Sequence, residues 1–114
     1  MKIYIIRHGQ TMWNKEHLLQ GRSDIALNEN GRELARRTGE GMKDIPFDIV
    51  FTSPLKRAKE TAQLVLGGRD VPVVEDGRIA EISFGKYEGT HWDPKAGCFE
   101  SPAIFNFFNH PEEY

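Results

Sequence analysis

The sequence predicts an α/β fold with a mainly parallel sheet, because strand-like and helix-like segments alternate along the chain. Short runs rich in β-branched and aromatic residues occupy residues 3–6, 47–52 and 71–74. Two longer segments with apolar residues at helical spacing lie between these runs. The order strand, helix, strand, helix, strand is typical of parallel strands joined by right-handed crossovers.

A polar loop separates the first predicted strand from the first predicted helix. Residues 3–6 are expected to form a strand buried on both faces, which Gly9 ends. Residues 11–26 show no sustained apolar period, so we predict an irregular loop that contains one helical turn. Asn28 is a capping position ahead of a helix whose apolar period continues to Met42.

The second predicted helix follows the second strand directly. Ser53 is able to cap this helix, and Pro54 suits its first position. The pair Gly67-Gly68 ends the helix, and residues 71–74 form the third strand. One apolar face is predicted to run along the helix through Leu55, Ala58, Ala62 and Leu66.

Length and composition exclude several classes of protein. With 114 residues, of which 39% are hydrophobic and 28% charged, we expect one globular domain over residues 1–114. The net charge of -2 gives no reason to expect nucleic acid or a membrane surface as a partner. Residues 3–6 are too short an apolar run for a signal peptide, so we expect a cytoplasmic protein.

The sequence contains no motif for a metal or a nucleotide cofactor. The four histidines lack the spacing of a zinc site, and Cys98 is the single cysteine. Neither a Walker A motif nor a dinucleotide-binding GxGxxG motif occurs. We therefore expect the protein to use neither a metal nor another cofactor.

Arg7, His8 and Gly9 follow the first predicted strand, and ligands of α/β proteins bind at the carboxyl ends of strands. A histidine there can be a nucleophile when a backbone carbonyl holds one ring nitrogen protonated, because the other nitrogen then carries the lone pair. Gly9 would let the backbone approach closely enough for that contact. The simpler interpretation is a histidine whose hydrogen bonds are satisfied within a turn.

Two further side chains have the right chemistry for a phosphate ester. Arg57 lies at the start of the second predicted helix, where free N–H groups and a guanidinium favour a phosphate. We predict that its neighbours Lys56, Lys59 and Glu60 are solvated. Partial burial of Glu81 would raise its pKa and suit it to protonating a leaving group. The alternatives are a solvated arginine and a turn glutamate that caps backbone N–H groups.

Four motifs occur in one order over about residues 1–89. They are Arg7-His8-Gly9-Gln10-Thr11 with Trp13-Asn14, Gln20-Gly21-Arg22-Ser23-Asp24 with Leu27 and Gly31, Ser53-Pro54-Leu55-Lys56-Arg57-Ala58-Lys59-Glu60-Thr61-Ala62, and Glu81-Ile82-Ser83-Phe84-Gly85-Lys86-Tyr87-Glu88-Gly89. Together they resemble the histidine phosphatase superfamily. The resemblance implies a phosphoglycerate mutase-like fold, a three-layer αβα sandwich with a mainly parallel sheet.

The resemblance also implies a role for each matching residue. His8 would be the nucleophile that becomes phosphorylated, and Glu81 would protonate the leaving alcohol. The residues that it implies for binding the phosphoryl group are Arg7, Arg57, Asn14 and Gly21. Fixed cations and hydrogen-bond donors of this kind are what phosphoryl transfer without a metal requires.

One family motif has no counterpart in the sequence. The family supplies a second catalytic histidine, followed by glycine, from a later strand, and neither His91-Trp92 nor His110-Pro111 matches it. We therefore expect the chain to be an amino-terminal part of the family's domain, incomplete at its carboxyl end and with impaired activity.

The expected function is that of a phosphomonoesterase acting on small phosphorylated metabolites. The alternatives are a phosphoglycerate-type mutase and a non-catalytic module that binds phosphate. Gln10-Thr11 resembles the phosphatase branch more than the Glu-Ser usual in mutases.

The same missing strand predicts self-association, because an open sheet edge recruits another chain. We expect a homo-oligomer with exchange of the aromatic tail, which contains Phe99, Ile104, Phe105, Phe107 and Phe108. The alternative is a tail that folds back over its own sheet edge.

Overall fold

The computed structural model describes residues 1–93 and 98–99, which fall into two compact units. Unit 1 consists of residues 1–11 and 24–80, and unit 2 consists of residues 12–23 and the described residues from 81 onward. None of the helices in these ranges has the length and apolar content needed to cross a bilayer.

The described helices and strands are short. The α-helices are α1 (Met12–Lys15), α2 (Glu29–Gly41) and α3 (Lys56–Leu66), and single 3₁₀ turns cover Gly77–Ile79 and Gly85–Tyr87. The strands are β1 (Val50–Thr52), β2 (Val73–Glu75), β3 (Trp92–Asp93) and β4 (Cys98–Phe99). The single helical turn predicted within residues 11–26 is α1.

Helix α2 begins where the sequence predicts. The Asn28 side chain accepts a hydrogen bond of 2.8 Å from the Gly31 N–H, which satisfies one of the unpaired donors of the first turn. Ala35 turns inward from the middle of the helix and is 3% exposed. The predicted cap and helix are confirmed.

The sequence predicts Pro54 as the first residue of the second long helix, but α3 begins two residues later, at Lys56. The Ser53 hydroxyl accepts from the Leu55 N–H at 3.2 Å, and the Lys56 N–H donates to the Asp24 carboxylate at 2.7 Å. Asp24 therefore supplies the anion at the amino end of the helix, although it is distant in sequence. At the other end, Gly67 adopts the left-handed conformation with φ 60°, as the predicted glycine stop requires.

The face of α3 that turns inward differs from the predicted one. The buried residues of the helix are Arg57, Thr61, Val65 and Leu66. Leu55, Ala58 and Ala62 are only half-buried. An apolar period alone identifies the wrong face here, because two polar residues occupy the first half of the buried face.

An ion pair joins α2 and α3 beside the small apolar core of unit 1. Arg32 Nε lies 2.8 Å from Glu60 Oε2, while Glu60 Oε1 accepts from the Leu27 N–H at 3.3 Å. The pKa of Arg32 is raised, first by its hydrogen bond to Glu60 and then by the charge of that carboxylate. The prediction that Glu60 is simply solvated is therefore wrong, because its carboxylate connects α3 to Arg32 and Leu27.

The sheet of unit 1 is parallel, as predicted, but has two strands. Strands β1 and β2 pair with Val50 opposite Val73 and Thr52 opposite Glu75. The predicted strand over residues 3–6 is wrong, because these residues form no strand and Ile5 is 93% exposed. Composition makes the segment suitable for a strand, but a strand also needs a hydrogen-bonded neighbour, and the ladder of β1 includes only β2 in the described part of the chain.

Unit 2 pairs its two stretches of sequence through the backbone. The Gly89 N–H donates to the Leu19 carbonyl at 2.7 Å, and the Leu19 N–H donates to the Thr90 carbonyl at 3.0 Å. Leu19 and Phe84 are buried in this unit. Strands β3 and β4 pair antiparallel, and the rest of the predicted aromatic tail lies outside the described residues.

Candidate active site

The imidazole of His8 in unit 1 is held by the backbone carbonyl of the next residue, Gly9. His8 Nδ1 lies 2.6 Å from the Gly9 carbonyl oxygen. A carbonyl oxygen can only accept, so Nδ1 carries the proton and Nε2 carries the lone pair of the neutral ring. His8 is half-buried and follows no strand, contrary to the predicted strand end, but its ring has the tautomer that a nucleophile needs.

A hydroxyl group ties this loop to α3. The Gly9 N–H donates to Thr61 Oγ1 at 3.0 Å, and the Thr61 hydroxyl donates to the Arg57 carbonyl at 2.7 Å. Thr61 is 6% exposed, so its contact with the Arg57 carbonyl is shielded from water, and its contact with the Gly9 N–H is partly shielded. The backbone beside His8 is thereby linked to the helical turn that carries Arg57.

The amino end of α2 holds the other side of the same loop. Asn28 donates through its backbone N–H to the Gln10 carbonyl and through its side-chain amide to Gln10 Oε1, both at 2.9 Å. A Cβ added to Gly9 would lie 2.7 Å from the Gly31 carbonyl oxygen, closer than two such atoms can approach. Gly9 is therefore needed for its contact with the backbone of α2.

The two predicted phosphate-binding arginines differ in exposure. Arg57 is 2% exposed, so the alternative of a solvated helix arginine is wrong. A guanidinium keeps its charge when buried, and Arg57 therefore places a permanent cation in the interior of unit 1. Arg7 is exposed, and so is Lys56, the lysine next to Arg57.

The remaining predicted site residues belong to unit 2. Asn14 is half-buried in α1, and Gly21 is buried with φ 52°, a conformation that favours glycine. Glu81 is exposed, so the predicted partial burial is wrong. Its Oε1 accepts from the Ile82 N–H at 2.8 Å, which is the capping contact given above as the alternative.

The structure thus connects the predicted residues in two groups, one in each unit. In unit 1, hydrogen bonds join the His8-Gly9 backbone to the turn of Arg57 through Thr61. In unit 2, Arg22 Nε donates to the Glu81 carbonyl at 2.8 Å, which joins Glu81 to the loop that contains Gly21.

The sequence interpretation placed Glu88 in the fourth motif but gave it no role, whereas the structure shows that its carboxylate organises unit 2. Glu88 Oε2 accepts from the N–H groups of Arg22 and Phe84, each at 3.1 Å, and Oε1 accepts from the Ser23 hydroxyl. Burial acts to raise the pKa of Glu88, but the hydrogen bonds from Ser23, Arg22 and Phe84 outweigh it and hold that pKa below its ordinary value. A glutamate followed by glycine gives no signal of this role, because two of the donors come from a distant part of the sequence.

A comparison with known proteins identifies the family to which the chain belongs. The model of the histidine phosphatase superfamily (branch 1) matches residues 3–112. Among residues 1–93 and 98–99, no three or more histidine, cysteine or acidic side chains are grouped to hold a metal ion.

Individual relatives carry phosphatase and mutase names. An uncharacterized phosphatase, PhoE of Bacillus subtilis, is 45% identical over 87 residues, which are 76% of this chain and 45% of that relative. The solved structure of Entamoeba histolytica phosphoserine phosphatase with 3-phosphoglyceric acid matches at TM-score 0.73 and 36% identity, over 91% of this chain and 50% of that chain. A phosphoglycerate mutase from Bacillus anthracis matches at TM-score 0.72 and 39% identity, over 75% of this chain and 39% of that chain.

The chain therefore belongs to the histidine phosphatase superfamily and has a phosphoglycerate mutase-like α/β fold. The predicted family and fold class are confirmed. The chain spans about half the length of the relatives that it matches.

The contact of Thr61 with Gly9 can be tested by replacing Thr61 with valine. Thr61→Val keeps the shape but leaves the half-buried Gly9 N–H without the Thr61 hydroxyl as its acceptor, so we expect a loss of about 1–3 kcal/mol in the free energy of unfolding. Thr61→Ser retains the hydroxyl and should lose much less. Urea denaturation measures both, and equal losses would show that the hydroxyl does not hold the loop.

The pH dependence of stability tests the environment of Glu88. Its pKa in the folded chain lies below the ordinary value of 4.5, so the unfolded chain binds more protons as the pH falls. The stability that the ionised carboxylate contributes is complete above about pH 4.5 and is lost as the pH falls through the lower pKa of the folded state. Glu88→Gln should reduce the loss of unfolding free energy below about pH 4.5, as measured by urea denaturation at several pH values. Glu16→Gln, at an exposed position of unit 2, should leave that loss unchanged. The same loss of unfolding free energy at acid pH in the two variants would contradict the lowered pKa of Glu88.

Proposed function

We propose that the chain is part of a cytoplasmic phosphomonoesterase that cleaves small phosphorylated metabolites through a phosphohistidine on His8. The observation that carries this proposal is the 2.6 Å contact between His8 Nδ1 and the Gly9 carbonyl. It directs the lone pair of the neutral ring to Nε2, the atom that would attack phosphorus.

The reaction divides into two displacements. In the first, His8 Nε2 bonds to phosphorus, the bond from phosphorus to the ester oxygen breaks, and Glu81 gives its proton to that oxygen. In the second, water attacks the phosphohistidine, the bond from phosphorus to nitrogen breaks, and Glu81 takes the proton of the water. Phosphate leaves, and both side chains return to their initial states.

Charge on the transferring group requires fixed positive groups and donors. Arg7 and Arg57 carry permanent charges for the equatorial oxygens, while Asn14 and the backbone N–H of Gly21 would add hydrogen bonds. The burial of Arg57 supports this role, because a cation shielded from water interacts more strongly with a bound anion. No metal or other cofactor takes part in the proposed reaction.

The substrate class rests on the names of the relatives. Phosphoserine phosphatase and phosphoglycerate mutase both handle small phosphate esters, and both resemble this chain at TM-scores above 0.7. The mutase similarity also supports a second candidate, in which the phosphohistidine passes its phosphoryl group to a phosphorylated alcohol. A phosphoglycerate acceptor that outcompetes water would favour the mutase.

Phosphorylation of His8 is the central test of this function. Brief incubation of the chain with radiolabelled acetyl phosphate should give a label that is stable to base and labile to acid. His8→Ala should remove the label, and His17→Ala, which replaces a histidine outside the motif, should retain it. A label that survives in His8→Ala would overturn the assignment of the nucleophile. Phosphate or vanadate binding without any label would indicate the non-catalytic module instead.

We also propose that the chain associates with copies of itself, because unit 1 exposes large apolar side chains in residues 3–6 and on β1. Ile5 is 93% exposed, Ile3 73% and Phe51 57%, and each such side chain gains about 1.5–3 kcal/mol on full burial. Exchange of the aromatic tail is part of the same proposal.

Light scattering at micromolar concentration should therefore give a mass above the 13.0 kDa of one chain. Phe51→Lys should reduce this mass, whereas Leu34→Lys, which changes a similarly exposed residue of α2, should not. A species of 13.0 kDa with cooperative unfolding would contradict the association.

A further inference from the structure

Glu88 connects two segments of unit 2 through one carboxylate. From the first segment, Arg22 donates its N–H to Oε2 at 3.1 Å and Ser23 donates its hydroxyl to Oε1. From the second segment, Phe84 donates its N–H to Oε2 at 3.1 Å. A carboxylate oxygen can accept two such bonds at once, so a single side chain fixes the spacing between both backbones.

The two segments are those that carry Gly21 and Glu81. A Cβ on Gly21 would lie 2.5 Å from Glu88 Oε2 and 3.1 Å from the Ile82 carbonyl oxygen. The Glu88 carboxylate therefore occupies the space beside Gly21, and a glycine allows this close approach.

Glu81 is reached from Glu88 along two short paths. On one, Arg22 donates its N–H to Glu88 and its Nε to the Glu81 carbonyl, at 3.1 Å and 2.8 Å. On the other, the backbone runs from Phe84, bound to Glu88, through Ile82, whose N–H donates to Glu81 Oε1 at 2.8 Å. Because Glu81 is exposed, contacts and not burial fix its direction: Arg22 holds its backbone carbonyl, and the Ile82 N–H holds its carboxylate.

We propose that Glu88 is a positioning residue that orients Glu81 for protonation of the leaving alcohol. This inference rests on the proposed function, in which Glu81 is the proton donor. Glu88 does not touch the substrate in this scheme, and it acts through Arg22 and Phe84.

The inference predicts a dependence on the leaving group. As the bond from phosphorus to the ester oxygen breaks, an alkoxide needs the proton of Glu81, whereas p-nitrophenolate leaves as a stable anion without it. The second displacement is the same for both esters. In the first displacement, a misdirected Glu81 slows cleavage of an alkyl ester much more than cleavage of p-nitrophenyl phosphate. A general loss of structure would slow both alike.

Two substitutions of Glu88 separate these effects. Glu88→Ala removes every contact of the carboxylate. Glu88→Gln can turn its oxygen toward the N–H groups of Arg22 and Phe84 and its amide toward the Ser23 hydroxyl, so it should rescue the geometry without the charge. Glu16→Ala is the matched control, since Glu16 is an exposed glutamate of the same unit.

The rates at which glycerol and p-nitrophenolate are released in a single turnover, which report the first displacement alone, are compared for β-glycerophosphate and p-nitrophenyl phosphate in the 114-residue chain. For Glu88→Ala we expect a loss of about a hundredfold with β-glycerophosphate, the scale of general acid catalysis, and a loss of less than about threefold with p-nitrophenyl phosphate. Glu88→Gln and Glu16→Ala should stay near the unsubstituted chain with both esters. Equal losses with both esters in Glu88→Ala would overturn the inference and leave the proposed function standing.

Amide hydrogen exchange gives a second measurement that needs no turnover. The N–H groups of Arg22 and Phe84 should exchange at least about fivefold faster in Glu88→Ala, as expected for one lost hydrogen bond, and at nearly the original rate in Glu88→Gln. Unchanged exchange in Glu88→Ala would overturn the inference. If the unsubstituted chain cleaves neither ester, the proposed function fails, and exchange alone then decides whether Glu88 holds the two segments together.

Discussion

The hydroxyl of Thr61 is the contact on which the arrangement of unit 1 depends. It accepts from the N–H beside His8 and donates to the carbonyl of Arg57, so one small side chain fixes the histidine loop against α3. The rest of the loop is held by Asn28, which also caps α2. Among the described residues, strand pairing of this loop is limited to the bridge between Thr11 and Leu27, so the loop obtains its rigidity from the start of α2 and the middle of α3.

Carboxylates also connect segments of the chain where backbone groups lack partners in helices or strands. Glu60 accepts from the Leu27 N–H and pairs with Arg32, while Asp24 accepts from the first N–H of α3. Glu88 joins two loops of unit 2 in the same manner. Each ionised carboxylate offers several acceptor positions, and this suits it to a protein whose described strands are only two or three residues long.

Local signals predicted local structure well in this chain. Asn28 as a cap, Gly67 as a helix stop and one helical turn in the polar loop depend on neighbouring residues, and all are present in the structure. The strand over residues 3–6 and the inward face of α3 depend on partners from elsewhere, and there the sequence interpretation failed. The role of Glu88 was not predicted for the same reason, because its donors Arg22 and Ser23 are far from it in sequence. The family resemblance identified candidate residues such as His8 and Arg57, but it gave no information about the contacts that hold them.

The close approach of Gly9 to Gly31 has a consequence for recognising related sequences. A side chain at Gly9 would collide with the backbone of Gly31, and one at Gly31 would collide with the backbone of Gln10. The two positions are therefore under a joint steric restriction, and their part in the proposed chemistry is limited to the Gly9 carbonyl that holds His8 Nδ1. In a homologous protein with a larger residue at either position, the histidine loop must lie farther from the helix that corresponds to α2. The pair thus offers a criterion, readable from sequence alone, for sorting family members by the geometry of this loop.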